Sequence, residues 1–255
     1  MLNYIGAECY KLCRKKGLFF GMAVLLILEL LVFWSMRGAD EATRGMAYLF
    51  LLMMLPLGLL LAPIFAAAVF DEQYRNGTLK NEVTFGISRA RIYLGKLAAA
   101  ILTGTAAGIA AVGWYLLLSQ IFCAPGGTDG LTLTEVLTAS ACALPLWIAA
   151  LSFSFLLLMA LRSAAGAMAL TYLVCVLGTP VALVGASADS SLPLRLFDTL
   201  FYAAPFRAVY GYQDWAPMEL FSGGVTWLYC WGLGAGWAAV TAAVGLSVFR
   251  RRELR

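Results

Sequence analysis

Six long apolar stretches take up most of the chain and limit what it can fold into. A helix needs about 20 apolar residues to cross the hydrocarbon core of a bilayer. A transmembrane β-barrel would instead show alternating segments of about ten residues. We therefore predict an all-α membrane protein with six transmembrane helices, forming a single domain over residues 1–255. The predicted spans cover roughly residues 17–36, 46–70, 92–122, 136–161, 164–186 and 225–249.

The composition indicates that lipid is the solvent for most of this surface. The sequence is 62% hydrophobic and 13% charged, with a mean hydropathy of +0.84. Soluble domains carry about 25% charged residues, and a soluble core could not bury so much apolar surface. We expect no room for a soluble catalytic domain.

Basic residues are distributed unevenly around the predicted spans. If the N-terminus is cytoplasmic, fourteen of the 18 Lys and Arg residues fall inside, and four fall outside: Arg37, Arg44, Arg195 and Arg207. Cytoplasmic loops normally carry such an excess. We predict a multi-pass protein with both termini and the polar segment 71–96 in the cytoplasm. This anchoring accounts for the net charge of +4, so we expect no nucleic-acid partner.

Several residue types that enzymes need are missing. The chain has no His, which removes the usual zinc ligands and every histidine-based nucleophilic triad. It also has no G-x-x-x-x-G-K-[ST] phosphate loop, because Gly95-Lys96-Leu97 lacks the upstream glycine and the hydroxyl. We predict no catalytic residue, no metal site and no cofactor in this chain.

Residues 1–16 have the periodicity of an amphipathic helix lying at the membrane interface. Its basic side should lie near anionic lipid. Two uses remain open, a membrane anchor and a contact with a cytoplasmic partner. One face carries Leu2, Ile5, Cys9, Leu12 and Cys13, and another largely carries Glu8, Lys11, Arg14 and Lys15.

Glu29 lies well inside the first apolar stretch. An ionisable group at that depth is expensive and is a candidate for function. It could serve in substrate binding or gating. It could also be a protonated side chain that is hydrogen-bonded to a neighbouring helix.

Small residues recur in the last stretch, as Gly232-Leu233-Gly234-Ala235-Gly236. Such faces allow helices to approach closely. The approach could be to another helix of this chain or to a second membrane subunit.

The segment 187–224, before the last stretch, is rich in apolar and aromatic residues. These residues would not lie free in water. We predict re-entrant external helices that dip into the outer leaflet and are covered by the bundle. This apolar segment and the scarcity of charge in the spans favour an amphipathic or hydrophobic cargo.

The polar segment 71–91 has the signals of a short helix between two turns. Asn76 can cap its N-terminus, Gly77 permits a turn, and the helix should run over residues 78–85. Gly86 can end it in a left-handed conformation. Ser88 can then cap the third span.

This short helix should offer an apolar face to a partner, because Leu79 and Val83 are neighbours at i,i+4. Arg89, Arg91 and Lys96 should lie where the third span meets the anionic surface.

The same segment resembles the loop between the second and third spans of ABC-2-type transporter permeases. The six-span plan, the N-terminal amphipathic helix and the apolar external segment are similar to that family too. Within it, the chain is most similar to the small permeases of bacterial bacitracin-resistance and lantibiotic-immunity exporters. The matching residues are Asp71, Glu72, Gly77, Thr78, Leu79, Lys80, Gly86, Ile87, Ser88, Arg89, Tyr93, Leu94, Gly95 and Lys96.

The resemblance implies a protein of the bacterial cell membrane that exports its cargo, such as a peptide antibiotic, a drug or a lipid. The polar segment would be a coupling helix that docks on a separate ABC ATPase subunit, which binds the ATP and Mg. Two copies of the ATPase would serve two permeases, identical or related. The residues implied to act in coupling are Glu72, Gly77, Thr78, Leu79 and Arg89.

Three other functions stay open at this point. An intramembrane enzyme would need convergent polar groups at depth, and Glu29 has no evident partner. An ion-coupled carrier would show inverted repeats and paired broken helices. A non-transporting scaffold or sensor subunit could share the same fold. Co-purification with an ATPase would separate an exporter subunit from an enzyme or a carrier.

Overall fold

The apolar stretches fold into helices. A computed structural model describes residues 1–37, 43–75, 79–125, 132–161, 163–185 and 225–251. All regular elements in these ranges are helical, which confirms the all-α prediction. The helices are α1 (Leu2–Cys13), α2 (Lys16–Ser35), α3 (Arg44–Met54), α4 (Ala62–Arg75), α5 (Leu79–Thr84), α6 (Arg89–Phe122), α7 (Leu133–Leu161), α8 (Ala164–Gly185) and α9 (Val225–Arg251), and a 3₁₀ segment, Leu55–Leu61, joins α3 to α4.

Among the described residues, α2, α6 and α7 are long and apolar enough to cross a membrane. They correspond to the first, third and fourth predicted spans. The second predicted span is a broken helix, since the 3₁₀ segment with Pro56 separates α3 from α4; proline lacks the N–H that an α-helix needs. α8 and α9 cover the fifth and sixth stretches. That the second, fifth and sixth stretches also cross the membrane stays a prediction.

Four aromatic side chains form the centre of the core at one end of the bundle. Phe70 of α4 meets Phe155 of α7 edge to face at 5.2 Å. Tyr93 of α6 contacts Phe155 at 6.3 Å and Phe249 of α9 at 6.0 Å. Leu12 of α1 is buried in the same cluster. The predicted topology makes this the cytoplasmic end, so α1 is part of the core there.

α9 approaches α7 through one glycine of its small-residue stretch. A Cβ on Gly234 would lie 2.6 Å from backbone and side-chain atoms of Pro145, whereas Gly232 and Gly236 face open space. The close approach predicted for this stretch is therefore made within the chain at Gly234. The predicted re-entrant segment 187–224 lies outside the described residues.

Candidate functional site at the junction of α1, α5 and α6

α5 ends in a compact turn that its sequence encodes. Gly86 has φ = 82°, a conformation that glycine adopts without steric cost. Its N–H donates to Val83 O at 3.0 Å, and the Ile87 N–H donates to Glu82 O at 3.2 Å. This pair of hydrogen bonds is a Schellman motif, which satisfies the last carbonyls of a helix. The predicted role of Gly86 is confirmed.

α6 begins immediately after this turn. The Ser88 hydroxyl accepts a hydrogen bond from the Arg91 N–H at 3.4 Å, which confirms the predicted N-cap. The Arg89 Nη1 donates to Arg250 O at 2.8 Å, near the C-terminus of α9, where a cation is favoured. Arg89 therefore ties the start of α6 to the end of α9.

A buried lysine joins all three elements of the site. The Lys96 side chain of α6 is 0% exposed. Its Nζ lies 2.9 Å from Glu8 Oε2 of α1 and 3.6 Å from Glu82 Oε1 of α5. Lys11 pairs with the other oxygen of Glu8 at 2.6 Å. Two carboxylates thus face two ammonium groups, and the cluster of these four residues is neutral.

Tyr4 of α1 adds a direct bond to α5. Its hydroxyl donates to Glu82 Oε2 at 2.7 Å. The ring lies over Gly95 of α6, where a Cβ would come within 2.5 and 2.7 Å of ring carbons. The Lys96 Nζ lies 5.8 Å from the ring centroid. The Gly95-Lys96 pair of the sequence motif therefore has a structural role: Gly95, without a side chain, lets the Tyr4 ring pack against α6 next to the buried Lys96 ammonium.

The electrostatics of the site favour the charged form of Glu8. Burial alone would raise the pKa of Glu8, but the charge of Lys96 and the hydrogen bonds from Lys11 and Lys96 outweigh it and leave the pKa below its ordinary value. Burial, followed by the hydrogen bond to Glu82, raises the pKa of Tyr4. Tyr4 therefore stays protonated and remains a donor.

Two sequence predictions are wrong at this site. Glu8 was expected on the polar face of the N-terminal helix and Lys96 at the anionic membrane surface, yet both are buried and paired. The face of α1 that packs inward carries Tyr4, Ile5, Glu8, Cys9 and Leu12. A lone acid on a basic helix face was the signal that could have suggested a buried partner.

The prediction that α5 offers an apolar face to a partner is also partly wrong. Val83 is half-buried and packs against the core of this chain, so it is not available to a partner. Phe85, just after α5, is instead 84% exposed. Phe85 was not among the residues predicted to meet a partner.

The other predicted coupling residues are placed only in part. Glu72 lies on α4 and Leu79 begins α5, but their side chains are outside the description. Gly77 and Thr78, with Asn76, lie outside the described residues. Their role in coupling to an ATPase therefore stays a prediction.

Glu29 lies far from this junction, on α2. One turn earlier, Leu26 O accepts a hydrogen bond from Trp114 Nε1 at 3.2 Å; one turn later, Phe33 meets Tyr115 edge to face at 4.9 Å. Positions i, i+3 and i+7 share a helix face, so Glu29 points towards α6. Its Oε2 is buried and has no hydrogen-bond partner among the described residues. A hydrogen bond from this oxygen to a neighbouring helix is therefore not seen within the described residues.

Comparison with known proteins identifies the class. The profile described as "ABC-2 family transporter protein" matches residues 4–178, which is more than half of the chain. The chain therefore belongs to the ABC-2 family of transporter proteins, and it is a membrane protein with the role of a permease. The matched range contains Tyr4, Glu8, Glu82 and Lys96. No curated protein sequence matches the chain.

Proposed function

We propose that the chain is the membrane-spanning permease subunit of an ATP-driven exporter, powered by a separate ABC ATPase subunit. Segment 71–91 is the cytoplasmic coupling segment, and α5 is the helix on which the ATPase acts. ATP and Mg are bound by that partner.

The observation that supports this proposal most directly is that α5 is a short helix, which lies in the chain between the helices α4 and α6. It has a capped C-terminus, and side chains of α1 and α6 hold it in place. Rigid-body transfer of motion needs a stiff element between hinges. The glycine at 86 and the adjacent N-cap of α6 supply a defined end to that element. Phe85, exposed beside it, offers an apolar contact for the ATPase.

The assembly we propose has two ATPases beneath two permeases, identical or related, in a bacterial cell membrane. Both termini are cytoplasmic, and the external segment 187–224 borders the exit of the pathway. The whole of residues 1–255 forms one transmembrane domain. With this orientation 14 of the 18 basic residues would lie on the cytoplasmic side, which is the excess that membrane proteins normally show and supports the proposal.

The cargo we propose is amphipathic or hydrophobic, such as a peptide antibiotic, a drug or a lipid. Most of the described surface of α2 is apolar and exposed, which suits contact with lipid. Glu29 is the residue we place in substrate binding or gating, because its buried oxygen lacks a partner within the described residues. A cargo with a positive charge would meet that need.

The test uses variants of the coupling segment in the complex with its ATPase. We expect Leu79→Asp, and separately Gly77→Pro, to leave the protein inserted in the membrane but to abolish transport-linked ATP hydrolysis. Leu133→Asp is the control. It places the same charge at the start of α7, on the opposite side of the predicted membrane, and should leave hydrolysis intact.

Normal transport-linked hydrolysis in both coupling variants would overturn the assignment of this segment. Failure of any P-loop ATPase to co-purify with the native chain would instead favour a carrier or a scaffold.

A further inference from the structure

We propose that α1 is a second arm that carries motion away from α5, in addition to the direct connection of α5 to α6. The Tyr4–Glu82 bond and the Lys96 bridge make α1 and α5 move as one unit. A shift of α5 therefore displaces α1 and, through Arg14 and Lys15, the first apolar helix α2. The inference rests on the proposed function, because it takes the force on α5 to come from the ATPase.

The first step is the attachment of α1 to α5. Glu82 receives the Tyr4 hydroxyl on Oε2 at 2.7 Å, while Oε1 lies 3.6 Å from Lys96 Nζ. Lys96 in turn lies 2.9 Å from Glu8. Both oxygens of Glu82 are thus engaged, one directly by α1 and one through a cation shared with α1. Moving α5 alone would separate Glu82 from the buried Lys96 ammonium, which is costly.

The second step is that α1 has little freedom to slip. Tyr4 is fitted to Gly95, and eight residues later Leu12 is buried in the core. These two contacts fix both ends of a helix of 12 residues. A polar network adds directional bonds between them, from Tyr4 to Glu82 and from Lys96 to Glu8.

The third step is the connection from α1 to α2. The N–H groups of Arg14 and Lys15 donate back into α1, to Lys11 O at 3.2 Å and Leu12 O at 3.0 Å. Lys15 is extended, with ψ = 109°, and its carbonyl already accepts from Leu18 at 3.1 Å. A single extended residue therefore separates two hydrogen-bonded helices. So short a link passes a displacement of α1 to α2, the helix that carries Glu29.

The attachment is tested first on the permease alone, in lipid nanodiscs, by amide hydrogen exchange. Tyr4→Phe removes one hydroxyl and keeps the ring on Gly95. We expect exchange in α5, residues 79–84, to become about tenfold faster, the change that loss of one hydrogen bond to a charged group produces. Tyr10→Phe is the matched control, the same change at an exposed tyrosine of the same helix, and should leave α5 as in the native chain. Equal exchange of α5 in the Tyr4→Phe and native proteins would overturn the inference.

The transmission is tested in the complex with the ATPase. Tyr4→Phe should still bind the ATPase, but the change in exchange that nucleotide causes in residues 16–22 of α2 should fall several-fold. An unchanged nucleotide response in α2 would refute the arm while leaving the proposed function standing. The proposed function is tested separately by Leu79→Asp, so its failure can be distinguished from failure of the inference about α1. A residue with only a structural role would lower stability without altering the response to nucleotide.

Discussion

Replacing Lys96 by methionine should strongly destabilise the cytoplasmic end of the bundle. The Lys96 ammonium is 2.9 Å from Glu8 and 3.6 Å from Glu82. At an effective dielectric constant of about 20, these distances correspond to attractions of about 6 and about 5 kcal/mol. Desolvation of the ammonium offsets most of that gain, so the pairs contribute little net energy. Methionine, however, removes the buried cation from both carboxylates and leaves the buried Glu8 with Lys11 alone. Breaking a buried ion pair in this way costs about 3–5 kcal/mol.

The free energy of unfolding can be measured by titrating the purified permease with SDS in mixed micelles. Lys11→Met is the matched control. Lys11 also pairs with Glu8, at 2.6 Å, but its side chain is 53% exposed, and exposed pairs contribute less than about 1 kcal/mol. The difference between the two lysine variants therefore reports burial rather than loss of charge as such.

A double variant separates the ion pair from simple packing. Glu8→Gln combined with Lys96→Met should recover about 2 kcal/mol relative to the sum of the single changes, because contacting residues couple by about 0.5–3 kcal/mol. If Lys96→Met costs no more than Lys11→Met, or if the double variant is simply additive, the buried network described here is wrong.

Two further predictions concern the same junction. Gly95→Ala should displace the Tyr4 ring, whose carbons would lie 2.5 and 2.7 Å from the new Cβ, and should weaken protection of α5 in hydrogen exchange. Gly108→Ala, where the same helix has open space, is the control and should be neutral or stabilising. Equal effects of the two substitutions would contradict the packing of Tyr4 on Gly95. The folded pKa of Glu8 lies below its ordinary value of 4.5, so its contribution to stability should be complete above pH 4.5 and should fall as the pH drops below that value. Glu8→Gln should lose this part of the pH dependence in SDS titrations, and an unchanged profile would count against it.

Local signals correctly predicted the turn after α5 and the N-cap of α6. Gly86 and Ser88 act within a few residues of their own positions, since a Schellman turn and an N-cap are decided by neighbouring backbone groups. The all-α class followed from the length of the apolar stretches in the same way. These features need no knowledge of how distant parts of the chain meet.

The buried network could not be predicted from the sequence by the same reasoning. Glu8 and Lys96 are separated by 88 positions, and either residue alone reads as an ordinary surface charge. Their burial depends on how α1 packs against α6. The periodicity of α1 predicts that it lies at the membrane interface but does not predict which of its faces meets α6. Val83 was misjudged for the same reason, because its i,i+4 face is filled by the core of this chain.

The second predicted span shows a different limit. A continuous apolar stretch was interpreted as one helix, but the 3₁₀ segment divides it. Hydropathy records that residues avoid water and does not record how the backbone satisfies its hydrogen bonds. Pro56, which lacks the N–H that an α-helix needs, lies within the 3₁₀ segment where the helix is broken.

The side of the membrane on which the coupling segment lies decides whether a cytoplasmic ATPase can act on it. Position 80 lies within α5, and a Lys80→Cys variant without the native cysteines can be labelled with a membrane-impermeant maleimide. Labelling in inside-out vesicles, with none in intact cells, is the result we predict. Labelling of intact cells from outside would place this helix beyond the reach of any cytoplasmic ATPase and would contradict the proposed mechanism.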